Sequence, residues 1–158
     1  MKPALPPPAD GWPAIAELVP HAAPMCLLDT VLAIGPDWIR TGLAIRKDGP
    51  FCNDGRVGAW VGIEYMAQSA AALAGWEARQ QGAAVRPGFL VGARRYLIHQ
   101  PWFHCGEVLR IEAVRESGTG DGGLALLHGR IEAADGRLLA ESTLSVFQPD
   151  RPETGLTS

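Results

Sequence analysis

Residues 58–76 read GAWVGIEYMAQSAAALAGW, apolar nearly all round at helical spacing and carrying one carboxylate, Glu64. A helix without a polar face is built to be surrounded. The rest of the chain therefore has to supply a wrapping for it, which limits the fold more than any other feature. A carboxylate set in such a helix is costly unless it is hydrogen-bonded or its pKa moves toward neutrality. Glu64 thus reads as a working acid or base; the structural alternative is a glutamate paired with an arginine across a dimer.

The flanking sequence supplies the wrapping. Residues 1–17 form a proline-rich arm, with Pro3, Pro6, Pro7 and Pro8 forbidding a helix and favouring an extended, mobile segment. A short helix is expected within 12–19. Residues 25–34 and 38–45 read as strands separated by the Gly35-Pro36-Asp37 turn. Residues 47–58 form a loop, and 59–81 the long helix, with Gly82 placed to end it. At about 1.5 Å per residue that helix is some 30–35 Å long. Four strands follow at 89–98, 106–116, 124–133 and 138–148, with Asp121-Gly122 and Asp135-Gly136 as hairpin turns. The pattern is α+β: a long central helix wrapped by a curved antiparallel sheet of five to six strands. The domain spans 18–148, and 149–158 read as a flexible tail. An open sheet has edges to protect, so a homodimer or higher oligomer is expected.

A net charge of −3 without a basic cluster argues against nucleic acid. No run approaches the roughly 18–20 apolar residues of a membrane span, and the arm lacks the apolar core of a signal peptide. The three cysteines, Cys26, Cys52 and Cys105, are odd in number and widely spaced. That pattern fits reduced thiols in a cytoplasmic protein rather than a disulfide framework. The His99, His104 and Cys105 spacing fits no familiar zinc pattern, so no metal and no other cofactor is expected. Trp60 and Trp76 read as core anchors, and His128 as structural.

Three segments carry a resemblance. The helix motif GIEYMAQ at 62–68 resembles the E-A-M-A-Q segment of the β-hydroxyacyl-acyl-carrier-protein dehydratases. VPHAAPMCLLD at 19–29 is similar to that family's L-P-H-x-x-P-x-L-L-V-D opening, and 89–106 to its second half. The wording around 60–68 and the closing SVFQP at 145–149 are closest to a divergent branch found in aryl-polyene and xanthomonadin-type pigment clusters. The resemblance implies a hotdog fold, in which the helix is the sausage and the sheet the bun. It implies dehydration of 3-hydroxyacyl thioesters on an acyl carrier protein, delivered on its phosphopantetheine arm, or as a coenzyme A thioester. It also opens the way to a heterodimer with a second hotdog subunit. The family's loop histidine falls at Pro50 here, and 50–58 contain no histidine.

Dehydration needs a base for the proton beside the carbonyl, an acid for the departing hydroxyl and donors for the oxygen on which charge builds. Glu64 suits the acid role. Gln68, one helical turn on, can orient it. The amides of Gly58 and Ala59, at the start of the helix, are the expected oxyanion donors. His21, in the opening motif, is the first choice of base, against a reading in which it merely pins the incoming chain. Asp54 is an alternative acid or base in the loop, or a plain turn residue. Arg86, Arg94 and Arg95 could meet a pantetheine phosphate or an acidic carrier, Arg94 and Arg95 facing opposite sides of their strand. Two other functions stay open on this scaffold: a thioesterase using Asp54 or Glu64 to activate water, and a non-catalytic subunit paired with an active one.

Overall fold

The computed structural model describes residues 2–21, 25–118 and 122–149. In chain order these form α1 (Ile15–Leu18), β1 (Thr30–Gly35), β2 (Trp38–Ala44), β3 (Arg56–Gly58), a 3₁₀ turn (Ala59–Val61), α2 (Gly62–Gln80), β4 (Phe89–Ile98), β5 (Trp102–His104), β6 (Val108–Ser117), β7 (Gly123–Ala133) and β8 (Leu138–Gln148). Six strands make one antiparallel sheet in the order β1-β2-β6-β7-β8-β4, and β3 pairs with β5 as a separate ribbon. Helix α2 packs against one face of the large sheet, so the expected α+β arrangement of a single long helix on an antiparallel sheet is what the chain forms.

Period-two patterning explains the sheet's inner face. Leu109, Ile111 and Ala113 of β6 are fully buried, as are Ile131 of β7 and Ala140 and Leu144 of β8. Met66 of α2 settles on Gly129 of β7, where an added Cβ would come within 2.7 Å of its sulfur. A buried polar link joins sheet and helix: the Thr41 and Ser69 hydroxyls lie 2.8 Å apart, and Ser69 also donates to the Tyr65 carbonyl. The helix ends as Gly82 allows. At φ +67° that glycine turns the chain, its N–H bonding the Arg79 carbonyl and the Ala83 N–H the Ala78 carbonyl, the paired bonds of a Schellman cap.

Several elements depart from expectation. The strand expected from residue 25 begins only at Thr30, because the Met25 carbonyl and Leu27 N–H are taken by the Gln68 side chain instead of a ladder. The long helix starts at Gly62, after the 3₁₀ turn. That turn swings Trp60 outward: it is 65% exposed and packs edge-on against Phe51 rather than anchoring the core. Trp76 is buried as expected, edge-on to Trp12. The proline arm runs extended but is held to the body, with the Leu5 N–H donating to the Ile34 carbonyl and the Trp38 indole to the Pro3 carbonyl. It thereby covers part of the β1 edge, while β4 at the other edge exposes Phe89, Val91, Leu97 and Ile98. The Asp135-Gly136 hairpin is present, closed by Gly136 at φ +92°. Asp121, Ala22 to Pro24 of the opening motif and the tail beyond Pro149 lie outside the described residues. No helix among the described residues is long and apolar enough to cross a membrane.

Candidate active site

Glu64 sits in the first turn of α2, and Gln68 four residues on is fully buried beneath it. The Gln68 amide nitrogen donates to the Met25 carbonyl at 2.7 Å and to Glu64 Oε1 at 3.1 Å, while its oxygen accepts from the Leu27 N–H at 2.9 Å. Both of its N–H groups are thus committed, one to the segment leading into β1 and one to the carboxylate. His21, carried in by the segment after α1, places Nε2 3.6 Å from the same Glu64 oxygen. That is an ion-pair distance, longer than a hydrogen bond. The Nδ1 atom of His21 is buried without a partner.

His21 and Glu64 open onto a cavity of about 120 Å³ running along α2. Its helix wall is a row of small residues, Ala67, Ala70, Ala71 and Ala74; Leu127 and Val146 face it from the sheet. The stripe 64, 67, 71, 74 follows the helical repeat, so one side of α2 faces space instead of side chains. This corrects the picture of a carboxylate enclosed by an apolar helix. The Glu64 side chain is 38% exposed, because the alanines beside it are too short to fill the channel.

Arg115 also lines this cavity, and the sequence reading did not single it out. It continues the inward row Leu109, Ile111, Ala113 of β6 and stands opposite Leu127 of β7. Its side chain is only 6% exposed. The guanidinium pairs with the Glu77 carboxylate through both terminal nitrogens, and with Asp37 at 3.2 Å. Burial pushes its pKa down, but Glu77 and Asp37 more than offset that, so the net shift is upward. A charged residue at an inward register position was visible in the alternation of residues 109–115.

The other expected site residues are placed less compactly. Arg86 lines the cavity and donates to the Pro149 carbonyl at 2.6 Å. Arg94 and Arg95 are exposed on β4 and do not line it. Their simple alternation fails, since the β4–β8 register slips between Arg94 and Leu97 with Arg95 at φ +53°. Asp54 is away from the cavity, exposed at φ +55° in a two-residue turn with Gly55, closed by Asn53 and Arg56. Positive φ at both central residues is the geometry of a tight hairpin turn. The Ala59 N–H donates to the Pro101 carbonyl at 2.9 Å, so in this chain it is already engaged and is not a free oxyanion donor. Gly58 lies in β3 opposite Trp102. The Tyr96 hydroxyl donates to the Ala59 carbonyl. Burial pushes the Tyr65 phenol up to about 12 and that of Tyr96 higher still, so neither serves as a base near neutral pH. Among the described residues no group of three or more His, Cys, Asp or Glu side chains could hold a metal ion. His128 is half-buried in β7 opposite Thr143.

A long helix packed against a six-stranded antiparallel sheet, with a carboxylate in its first turn facing a channel, defines a hotdog-fold protein. The sequence pattern of the ApeP-like family, described as ApeP dehydratase, matches residues 13–157, and the chain belongs to that family. A solved chain of the dehydratase heterocomplex ApeI:P from Xenorhabdus doucetiae superposes with a TM-score of 0.83 at 29% identity, over 89% of this chain and 93% of that one. More distant folds include a hypothetical thioesterase with coenzyme A from Streptococcus pneumoniae TIGR4 (TM-score 0.59, 10% identity, 78% and 87% covered). The PaaI protein of E. coli is another (TM-score 0.57, 10% identity, 75% and 81% covered). At such identities these share the fold alone. No curated protein sequence matches the chain. The family assignment bears out the dehydratase resemblance drawn from the helix and opening motifs.

Proposed function

We propose that this dehydratase removes water from 3-hydroxyacyl thioesters presented on the phosphopantetheine arm of an acyl carrier protein in the cytoplasm, for the building of a polyene pigment chain. His21 takes the proton from the carbon next to the thioester carbonyl. The C–O bond at the third carbon breaks, and Glu64 gives its proton to the departing hydroxyl, leaving water and an enoyl thioester. Gln68 holds the carboxylate in place, and the alanine-lined channel receives the acyl chain. The single observation that carries the reading is the convergence of His21 and Glu64 at that channel. Arg86 is positioned to meet the pantetheine phosphate or the carrier.

The chain works with a second hotdog subunit in this reading. The similar Xenorhabdus protein is part of a heterocomplex, and with the Ala59 amide engaged the Gly58 N–H is the oxyanion donor that this chain brings. A second reading, a non-catalytic subunit that cradles the chain for an active partner, is favoured by the absence of histidine from residues 50–58.

One experiment separates the two. The protein, alone and co-expressed with its cognate hotdog partner, is incubated with a 3-hydroxyacyl carrier protein, and loss of water is followed by intact mass. Glu64→Gln and His21→Ala should each slow dehydration by about 10²-fold or more, since positioned proton transfer contributes that much. The assembled complex should survive both substitutions. Full activity in both variants would transfer the chemistry to the partner and establish the cradle reading.

A further inference from the structure

Strict alternation along β4 would set Tyr96 on the outer face of the sheet with Arg94, whose partner on β8 is Thr143. It does not stand there. Between the Arg94–Thr143 and Leu97–Glu141 pairs β4 carries one residue more than β8, and Arg95 lies in that stretch at φ +53°. A side chain at such a φ is strained, and a bulge of this kind re-aims its neighbour. Here it turns Tyr96 to the helix side, where the ring packs against the core and the hydroxyl donates to the Ala59 carbonyl.

Helix α2 makes room for that hydroxyl. Gly62 opens the helix, and a Cβ there would collide with the Tyr96 oxygen and with the flexible end of Ile131. The chain thus accepts a strained residue in β4 and a poor helix former in α2 around one hydrogen bond from an edge strand. A purely packing role for the ring needs no such room at its oxygen.

What the bond holds is the turn that precedes α2. Ala59 is fixed on both sides, its N–H donating to the Pro101 carbonyl and its own carbonyl accepting from Tyr96 and from the Gly62 N–H. On the other side of Gly58, Val57 is paired with Phe103. Gly58 has no side chain to stiffen it, so these two anchors set the direction of its N–H. Tyr96 does not line the channel. We infer that Tyr96 is a positioning residue for dehydration: through the Ala59 carbonyl it holds the turn that keeps the Gly58 N–H aimed at the thioester oxygen. This rests on the reading of Gly58 as the oxyanion donor.

Tyr96→Phe keeps the ring and removes the bond. In the complex of this chain with its hotdog partner, kcat for a 3-hydroxyacyl carrier protein should fall about tenfold at unchanged KM, part of the roughly 10²–10³-fold that loss of an oxyanion donor costs. Amide hydrogen exchange over residues 57–61, followed by mass, should quicken in the same variant, while exchange over residues 66–80 stays as it was. A merely structural role would lower the urea midpoint and leave kcat per folded complex alone. Gly62→Ala, which pushes the hydroxyl off Ala59 from the helix side, should slow the reaction likewise. The double variant should be no slower than the slower single one, because both break the same contact. Losses that multiply, or a turn whose exchange does not change, overturn the inference. A turn that loosens while kcat holds instead overturns the reading of Gly58 as oxyanion donor, and the positioning role with it.

Discussion

The Gln68 side chain ties Glu64 to the segment that leads into β1. It completes hydrogen bonds for two backbone groups of the segment before β1 and one for Glu64, so fold and site share a residue. Gln68→Leu keeps the volume near but strands the Met25 carbonyl and the Leu27 N–H. At about 1–3 kcal/mol for the buried Leu27 N–H, with the Met25 carbonyl partly exposed, the loss should be about 1–3 kcal/mol, read as a lowered urea midpoint. Dehydration should fall more than the residual folded fraction explains, since Glu64 also loses its tether. The Glu64–Gln68 relation was legible because four residues make one helical turn. His21 reached the reading only through a motif: nothing in local spacing says that a residue 43 positions upstream returns to the same helix face. Arg115 went unread for the opposite reason. Its inward position was visible in the strand, but its partner Glu77 lies on another element 38 residues away.

At the scale of elements, alternation explains what was legible. β8 occupies the expected span because it is long enough for period two to show, and β4 does so although two register slips break its alternation. The ribbon β3–β5 was missed because three residues carry no period, and its pairing is fixed by tertiary proximity. Close packing of α2 was legible in its small residues, Gly75 among them. Gly75 of α2 lies so close to α1 that any Cβ would collide with the Leu18 carbonyl, a backbone atom that cannot swing aside. Gly75→Ala gains helix propensity of roughly 1 kcal/mol, yet it forces the two helices apart. The clash should dominate, with a net loss of about 1–3 kcal/mol in denaturant unfolding. Unchanged or raised stability would mean that α1 is loosely held, and with it the path that brings His21 to Glu64.

For the molecule as a whole, the two sheet edges are treated differently. The β1 edge receives the proline arm, whose Leu5 bonds to Ile34 and whose Pro3 accepts from Trp38. Among the described residues nothing pairs with the free edge of β4, which presents apolar side chains, Val91 being 64% exposed. An uncovered apolar edge invites another strand, and the half-exposed alanine stripe of α2 opens toward the same side through Leu90 and Gly88 of the cavity wall. The β4 edge is therefore where the proposed hotdog partner should add its sheet. Val91 sits at the register slip between Leu90 and Gly92, outside the β4–β8 ladder, so a charge there disturbs the edge without breaking the sheet inside the chain. Val91→Lys should leave the unfolding midpoint of the isolated chain within about 0.5 kcal/mol of the original. Light scattering of the co-expressed proteins should nonetheless find a reduced fraction of complex, and dehydration should fall in proportion. A complex that forms undiminished would place the partner elsewhere on the surface.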